Sequence, residues 1–186
     1  MLRVKVAALM VAIVAAVGLL AQPALAKKPS PTPAPILTLS PQQGSATAVV
    51  DTPSGPVALE ATGTVVGARA SAGAIVAATT YSRTCTLTVH DVVTGQQWRI
   101  KLTSTFYYDY STIWQNTPSV TVSAIYPYSW SDKSAYNSYW SPTVRFANGE
   151  ALLHDNYPWP DYAEWTKVLY IQEDAWGNCT FGNYNG

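Results

Sequence analysis

The sequence predicts an all-β protein, an antiparallel β-sandwich or small barrel with one disulfide, preceded by a signal peptide and a Pro-rich spacer. Three observations predict this fold class: short segments alternate apolar and polar residues, turn residues separate them, and no long helical period occurs. The aromatic residues mark the strongly folding part, because all 12 Tyr, 7 Trp and 3 Phe lie after position 80. Residues 81–186 are therefore the predicted aromatic-rich core region.

Residues 1–26 have the features of a secretory signal peptide. Arg3 and Lys5 precede an apolar run over residues 6–20, and Ala24-Leu25-Ala26 is a small-x-small cleavage site. A membrane anchor needs about 20 apolar residues, and Gln22 interrupts the run before that length is reached. We expect a secreted protein, extracellular or associated with the cell envelope, with no stable membrane insertion after signal cleavage.

Residues 27–56 predict a flexible spacer rich in Pro, Ser and Thr. Its first part, KKPSPTPAP, has four prolines and cannot form a helix or a sheet. The β domain is predicted over residues 57–186. It begins with alternation in Val57–Val66 that puts Val57, Leu59, Ala61 and Val65 on one face, and we expect this first segment to be an edge strand.

The strand pattern strengthens from Arg83 onward. Leu87 and Val89 alternate with threonines, and Trp98, Ile100 and Leu102 alternate with polar residues beyond a turn that contains Gly95. Two further elements follow along the chain. Residues 120–126 predict a short strand, and Asn148-Gly149, between residues 143–147 and 150–154, predicts a tight hairpin.

The last predicted hairpin pairs residues 167–173 with residues 179–184, across a turn at 174–178. Residues 161–173 carry two competing signals. Asp161 and Glu164 form a capping box typical of a helix start, whereas β-branched and aromatic residues over 166–171 favour a strand. We favour the strand.

Cys85 and Cys179 are the only two cysteines of the chain. Export into an oxidising compartment favours a structural disulfide between them. The alternative, a catalytic thiol, needs a setting that stabilises the thiolate, and the sequence offers none.

Charge and motifs exclude several functional classes. From Tyr81 onward the chain has six basic and nine acidic residues and no basic stripe, so nucleic-acid binding is not expected. The sequence has no phosphate-binding loop, dinucleotide fingerprint, nucleophile elbow or CxxC motif. No cofactor and no metal site is predicted, and the sequence does not define an oligomeric state.

The surplus of aromatic residues is the best indication of a binding surface. A domain of this size cannot bury all its large rings, and two groups of them lie in proline-stiffened loops. Such rings, beside Asp, Asn and Ser, can stack on sugar rings while the polar groups bond to sugar hydroxyls. The alternative is that they cap the ends of the sandwich. The candidate ligand-binding residues are Tyr126, Tyr128, Trp130, Tyr157, Trp159, Asp161 and Tyr162.

Catalysis is the less favoured interpretation. Two dipeptides, His90-Asp91 and His154-Asp155, contain residues suited to acid–base chemistry, but neighbours on a strand point to opposite faces. We therefore expect a secreted non-catalytic binding or surface module, with a glycan or cell-wall polymer as its partner. The alternatives are a small secreted hydrolase that uses acidic residues and a histidine, and a structural coat protein.

Overall fold

A computed structural model describes most of the chain after residue 35. The described residues are 36–52, 55–70, 79–92, 96–115, 117–156 and 163–185. The predicted signal peptide and residues 27–35 of the predicted spacer lie outside them. Among the described residues there is no helix of the length and apolar character needed to cross a membrane.

The described residues form eleven strands. They are β1 (Leu37–Leu39), β2 (Ser45–Thr52), β3 (Gly55–Ala70), β4 (Thr79–Asp91), β5 (Trp98–Tyr108), β6 (Ile113–Gln115), β7 (Ser119–Ala124), β8 (Tyr128–Ser141), β9 (Val144–Asp155), β10 (Ala163–Asp174) and β11 (Cys179–Asn185). Every pair is antiparallel, which confirms the all-β, antiparallel prediction.

The strands form two sheets. The five-stranded sheet has the order β1-β11-β10-β9-β8. The six-stranded sheet has the order β2-β3-β4-β5-β6, and β7 pairs with the same edge of β5, next to β6. Because alternate residues point to opposite faces, each sheet has an inner face that contributes to a common apolar core and an outer face that meets solvent.

The core is built from the alternating apolar positions that are visible in the sequence. In β4 and β5, Leu87, Val89, Ile100 and Leu102 are fully buried, and Trp98 is nearly so. The strands pair in the predicted hairpin, with Leu87 opposite Leu102 and Val89 opposite Ile100. The final hairpin is also confirmed, because β10 pairs with β11 across the turn at residues 175–178. The contested segment is a strand from Ala163 onward.

The predicted Asn148-Gly149 hairpin is wrong. Both residues lie inside β9, which runs without interruption from Val144 to Asp155. A Cβ on Gly149 would lie 3.0 Å from Leu102 Cδ1 and 3.3 Å from Val120 Cγ2 of the facing sheet. Gly149 therefore allows close approach of the two sheets, and the Asn148 amide donates to Ser138 Oγ on β8 at 3.0 Å.

The predicted start of the β domain at Val57 is too late. Residues 36–52, assigned to the spacer by the sequence, contain β1, paired with β11, and β2, paired with β3. Strand β3 is flanked by β2 and β4, so it is not an edge strand as predicted. Val65, predicted to face inward with Val57, Leu59 and Ala61, pairs with the buried Arg83 but is itself 44% exposed, and the register of β3 against β4 shifts directly after it.

A disulfide and a buried arginine connect the two sheets. Cys85 on β4 and Cys179 on β11 form the predicted disulfide, with a Cα–Cα distance of 6.6 Å. Arg83 is fully buried on the same inner face of β4. Its guanidinium donates to three backbone carbonyls, those of Leu39 at 3.3 Å, Gln43 at 2.9 Å and Gly177 at 2.5 Å.

Arg83 thus attaches the β1–β2 segment to the turn between β10 and β11. Burial lowers the pKa of Arg83, and the nearby Tyr108 and Asp174 oppose that shift. Gly63 on β3 leaves room for the side chain, since a Cβ there would overlap the Arg83 guanidinium.

Candidate functional site

The outer face of the six-stranded sheet carries a regular array of hydroxyl groups. One row crosses five neighbouring strands, and each member lies opposite the next in the strand register. It consists of Ser45, Thr62, Thr86, Thr103 and Ser119. All five are exposed or half-buried.

A second row lies one side-chain position along the strands, with Thr64 opposite Thr84 and Thr84 opposite Thr105. The hydroxyls of Thr84 and Thr105 are 2.8 Å apart, and those of Thr86 and Thr103 are 3.2 Å apart. Cross-strand hydrogen bonds between threonines orient the side chains and hold the surface regular.

Two aromatic rings continue this face at one end of β5. Tyr107 is the next outward residue after Thr105, and Trp114 lies directly opposite it on β6. Their ring centroids are 6.3 Å apart and their planes differ by 17°, which is a stacked arrangement. Trp114 is 40% exposed. We call Tyr107 and Trp114 the aromatic platform.

The turn from β5 to β6 positions the platform. One oxygen of Asp109 accepts hydrogen bonds from the backbone and hydroxyl of Ser111, at 2.9 and 2.7 Å, and from the same groups of Thr112, at 2.7 and 3.1 Å. These bonds, that of the Ser111 hydroxyl foremost, lower the pKa of Asp109 to about 2. Asp109 is therefore ionised at neutral pH, and its carboxylate keeps the turn closed.

One residue of this turn has an unfavourable backbone conformation, and contacts of its ring with other aromatic rings compensate for the cost. Tyr110 has a φ of 66°, which is unusual for a residue other than glycine. Its ring meets Tyr81 edge-on at 5.2 Å and Tyr108 edge-on at 5.6 Å. These contacts stabilise the turn, and Ile113 beyond it is buried in the core, so Trp114 is directed outward.

Of the three residues predicted to share a proline-stiffened loop, Tyr126 lies in the turn between β7 and β8, whereas Tyr128 and Trp130 lie at the start of β8. Tyr126 is 78% exposed, and Trp130 is 38% exposed with the Lys133 ammonium 5.1 Å from its ring centroid. Tyr128 is half-buried, packs against the core and meets Trp165 edge-on at 5.9 Å. The other four predicted residues, Tyr157, Trp159, Asp161 and Tyr162, lie outside the described residues.

The two histidines lie on different sheets, so the two His–Asp dipeptides do not converge. His90 on β4 contacts the backbone oxygen of Asp91 at 2.9 Å and Glu60 Oε1 at 3.3 Å. His154 on β9 contacts Ser131 and Glu164 instead. Within the part of the chain that the structure describes, no group of three or more His, Cys, Asp or Glu side chains is arranged to hold a metal ion.

Comparisons with known proteins give no indication of the function of this site. No protein-family model matches this chain, and neither curated proteins nor solved structures gave a match. The aromatic platform is not among the predicted site residues, because no strand is predicted from the sequence over residues 113–115. The available signal was the Asp109 turn between two alternating segments, which brings Tyr107 and Trp114 onto one face.

Proposed function

We propose that this protein is a secreted module that binds an extended polysaccharide, such as a cell-wall polymer, on the outer face of its six-stranded sheet and does not cleave it. The observation that carries the proposal is the stacked Tyr107–Trp114 platform beside the threonine rows. The signal-like residues 1–26 and the disulfide between Cys85 and Cys179 support an extracellular or envelope location.

The chemistry of this face suits a neutral glycan. A flat indole or phenol ring offers apolar contact to the C–H face of a sugar ring. Threonine hydroxyls both donate and accept hydrogen bonds, as sugar hydroxyls do. Each row has one hydroxyl residue on every strand that it crosses. Such a periodic surface suits a polymer with a repeating unit better than a single small molecule. A preformed surface also loses little conformational entropy on binding.

The turn between β7 and β8, together with the first residues of β8, is a second surface with the same chemistry on a smaller scale. Tyr126 and Trp130 are exposed there, and Lys133 lies over the Trp130 ring. This turn lacks the threonine rows, so we assign it a secondary contact.

A co-sedimentation assay with insoluble chitin, cellulose and purified bacterial cell wall tests the proposal. Wild-type protein is expected to sediment with at least one of these polymers. Trp114→Ala is expected to weaken that binding about tenfold or more, because an exposed Trp at a binding centre contributes about 2 kcal/mol.

Trp176→Ala is the matched control, because Trp176 is also an exposed tryptophan but lies in the turn between β10 and β11. It should bind as wild type does. If the Tyr126→Ala, Trp130→Ala double variant loses binding while Trp114→Ala retains it, the binding surface is the β7–β8 turn. If wild type binds none of the three polymers, the proposed function is wrong.

A further inference from the structure

Three side chains on neighbouring strands of the other sheet form a hydrogen-bonded chain. Ser131 Oγ on β8 lies 2.6 Å from His154 Nε2 on β9. His154 Nδ1 lies 2.9 Å from Glu164 Oε1 on β10. In the neutral imidazole that carries its proton on Nδ1, His154 donates to Glu164 and accepts from Ser131. This is the order of nucleophile, base and orienting carboxylate used in nucleophilic catalysis.

The strand register accounts for this alignment. Glu164 lies directly opposite His154. On the other side, Trp130 pairs with Leu153 and Asp132 with Leu152, so Ser131 is the extra residue of a β-bulge. A bulge re-aims the side chain of the residue it displaces. Here the displaced residue is the serine that reaches the imidazole.

A small pocket lies one side-chain position further along the same face of the sheet. It has a volume of about 170 Å³ and is lined by Asp132, Lys133, Ser134, Glu150, Ala151, Leu152 and Thr166. Leu152 and Thr166 are paired one position along from His154 and Glu164 on the same face. The pocket is smaller than the roughly 300–1,000 Å³ of sites for drug-sized ligands. Its size fits a short acyl chain. Its lining has two carboxylates, Asp132 and Glu150, against one ammonium, Lys133, and this balance disfavours an anionic chain.

We propose that Ser131 is an activated nucleophile toward esters of short, uncharged acyl groups, with His154 as general base and Glu164 as a positioning residue. Ser131 Oγ forms a bond to the ester carbonyl carbon while its proton passes to His154 Nε2. The bond to the leaving alcohol then breaks, and His154 returns the proton to that alcohol. Water, activated by His154 in the same way, cleaves the acyl-serine to release the acid and restore the hydroxyl.

The proposal does not depend on polysaccharide binding, because the two sites lie on different sheets. Ser131→Ala should leave co-sedimentation unchanged, and Trp114→Ala should leave serine reactivity unchanged.

The test uses the full secreted chain, a fluorophosphonate probe that labels activated serines, and p-nitrophenyl acetate as substrate. Mass spectrometry of the wild-type protein should find the probe on Ser131. Ser131→Ala should abolish labelling and ester hydrolysis, and His154→Gln should slow both by about 100-fold or more, the usual contribution of a general base. Ser129→Ala is the matched control, because the Ser129 hydroxyl lies on the same strand and bonds to Asn156 Nδ2 at 2.8 Å.

The role of Glu164 has its own readout. Glu164→Gln should lower kcat for p-nitrophenyl acetate with little change in KM, and Glu164→Asp should recover part of the loss. A folded wild-type protein that takes no label on Ser131 and hydrolyses no ester would overturn the proposal. Labelling that persists in Ser131→Ala would overturn it equally.

Discussion

Replacing the buried Arg83 by methionine is the sharpest test of how the β1–β2 segment is held. Methionine keeps an unbranched side chain and removes the donors to the Leu39, Gln43 and Gly177 carbonyls. The bonds to Leu39 and Gly177 are buried, and the bond to Gln43 is partly buried. A buried acceptor that loses its donor raises the free energy of the folded state by about 1–3 kcal/mol.

Two buried carbonyls therefore account for about 2–6 kcal/mol, and relief of the buried guanidinium charge offsets part of that loss. We expect Arg83→Met to lower the free energy of unfolding by about 3 kcal/mol, which is a large share of the roughly 5–15 kcal/mol typical of a domain. Urea unfolding monitored by tryptophan fluorescence measures the difference. Arg99→Met is the control, because Arg99 is exposed on the outer face, and its effect should stay within about 0.5 kcal/mol.

A double-mutant cycle with Gly63→Ala identifies the cause. In the wild type, the new methyl group would overlap the Arg83 guanidinium, so the substitution should be destabilising. In the Arg83→Met background the flexible thioether can move, and most of that destabilisation should disappear. A loss under about 1 kcal/mol for Arg83→Met, with the same Gly63→Ala effect in both backgrounds, would refute the reasoning.

Three further predictions concern the fold. Reduction of the Cys85–Cys179 disulfide removes a long loop constraint worth about 4–5 kcal/mol in the chain-entropy model, so calorimetry should find a Tm lower by many degrees; two free thiols in the non-reduced secreted protein would contradict this. Limited proteolysis should leave a core that begins near Ile36, because β1 and β2 are paired; a resistant core that begins near Val57 would contradict the pairing. Burial lowers the pKa of Lys167, so the folded state binds fewer protons than the unfolded state between that pKa and about 10.4. Stability should therefore rise with pH through this window relative to Lys167→Met, and urea midpoints with the same pH dependence in both proteins would contradict it.

The sequence predicted those parts of the fold in which local pattern and tertiary packing agree. The Leu87–Leu102 hairpin combines strict alternation with a glycine-containing turn, and both signals describe the observed strands. Asn148-Gly149 is the opposite case. Its local signal is that of a turn, but Gly149 is needed where Leu102 and Val120 of the facing sheet come close, and no local pattern contains that contact.

The candidate site was predicted less well than the fold. An excess of exposed aromatic rings was correctly expected, and Tyr126 and Trp130 are among the exposed residues. The aromatic platform depends on the Asp109 turn and on the register of β5 against β6, which together place Tyr107 opposite Trp114. Likewise, the approach of Ser131 to His154 depends on a β-bulge, which changes the face of a residue without a sequence signature.

The central claim is that the outer face of the six-stranded sheet binds a polysaccharide through the aromatic platform. The most direct measurement follows the indole N–H signals of the seven tryptophans by NMR during titration with chitohexaose, cellohexaose and soluble peptidoglycan fragments. The signal missing from Trp114→Ala identifies Trp114. We predict that this signal shifts in a saturable manner with at least one probe, together with the backbone signals of Thr84 and Thr105. Shifts confined to Trp130 and its neighbours, or no shift with any of the three probes, would contradict the claim.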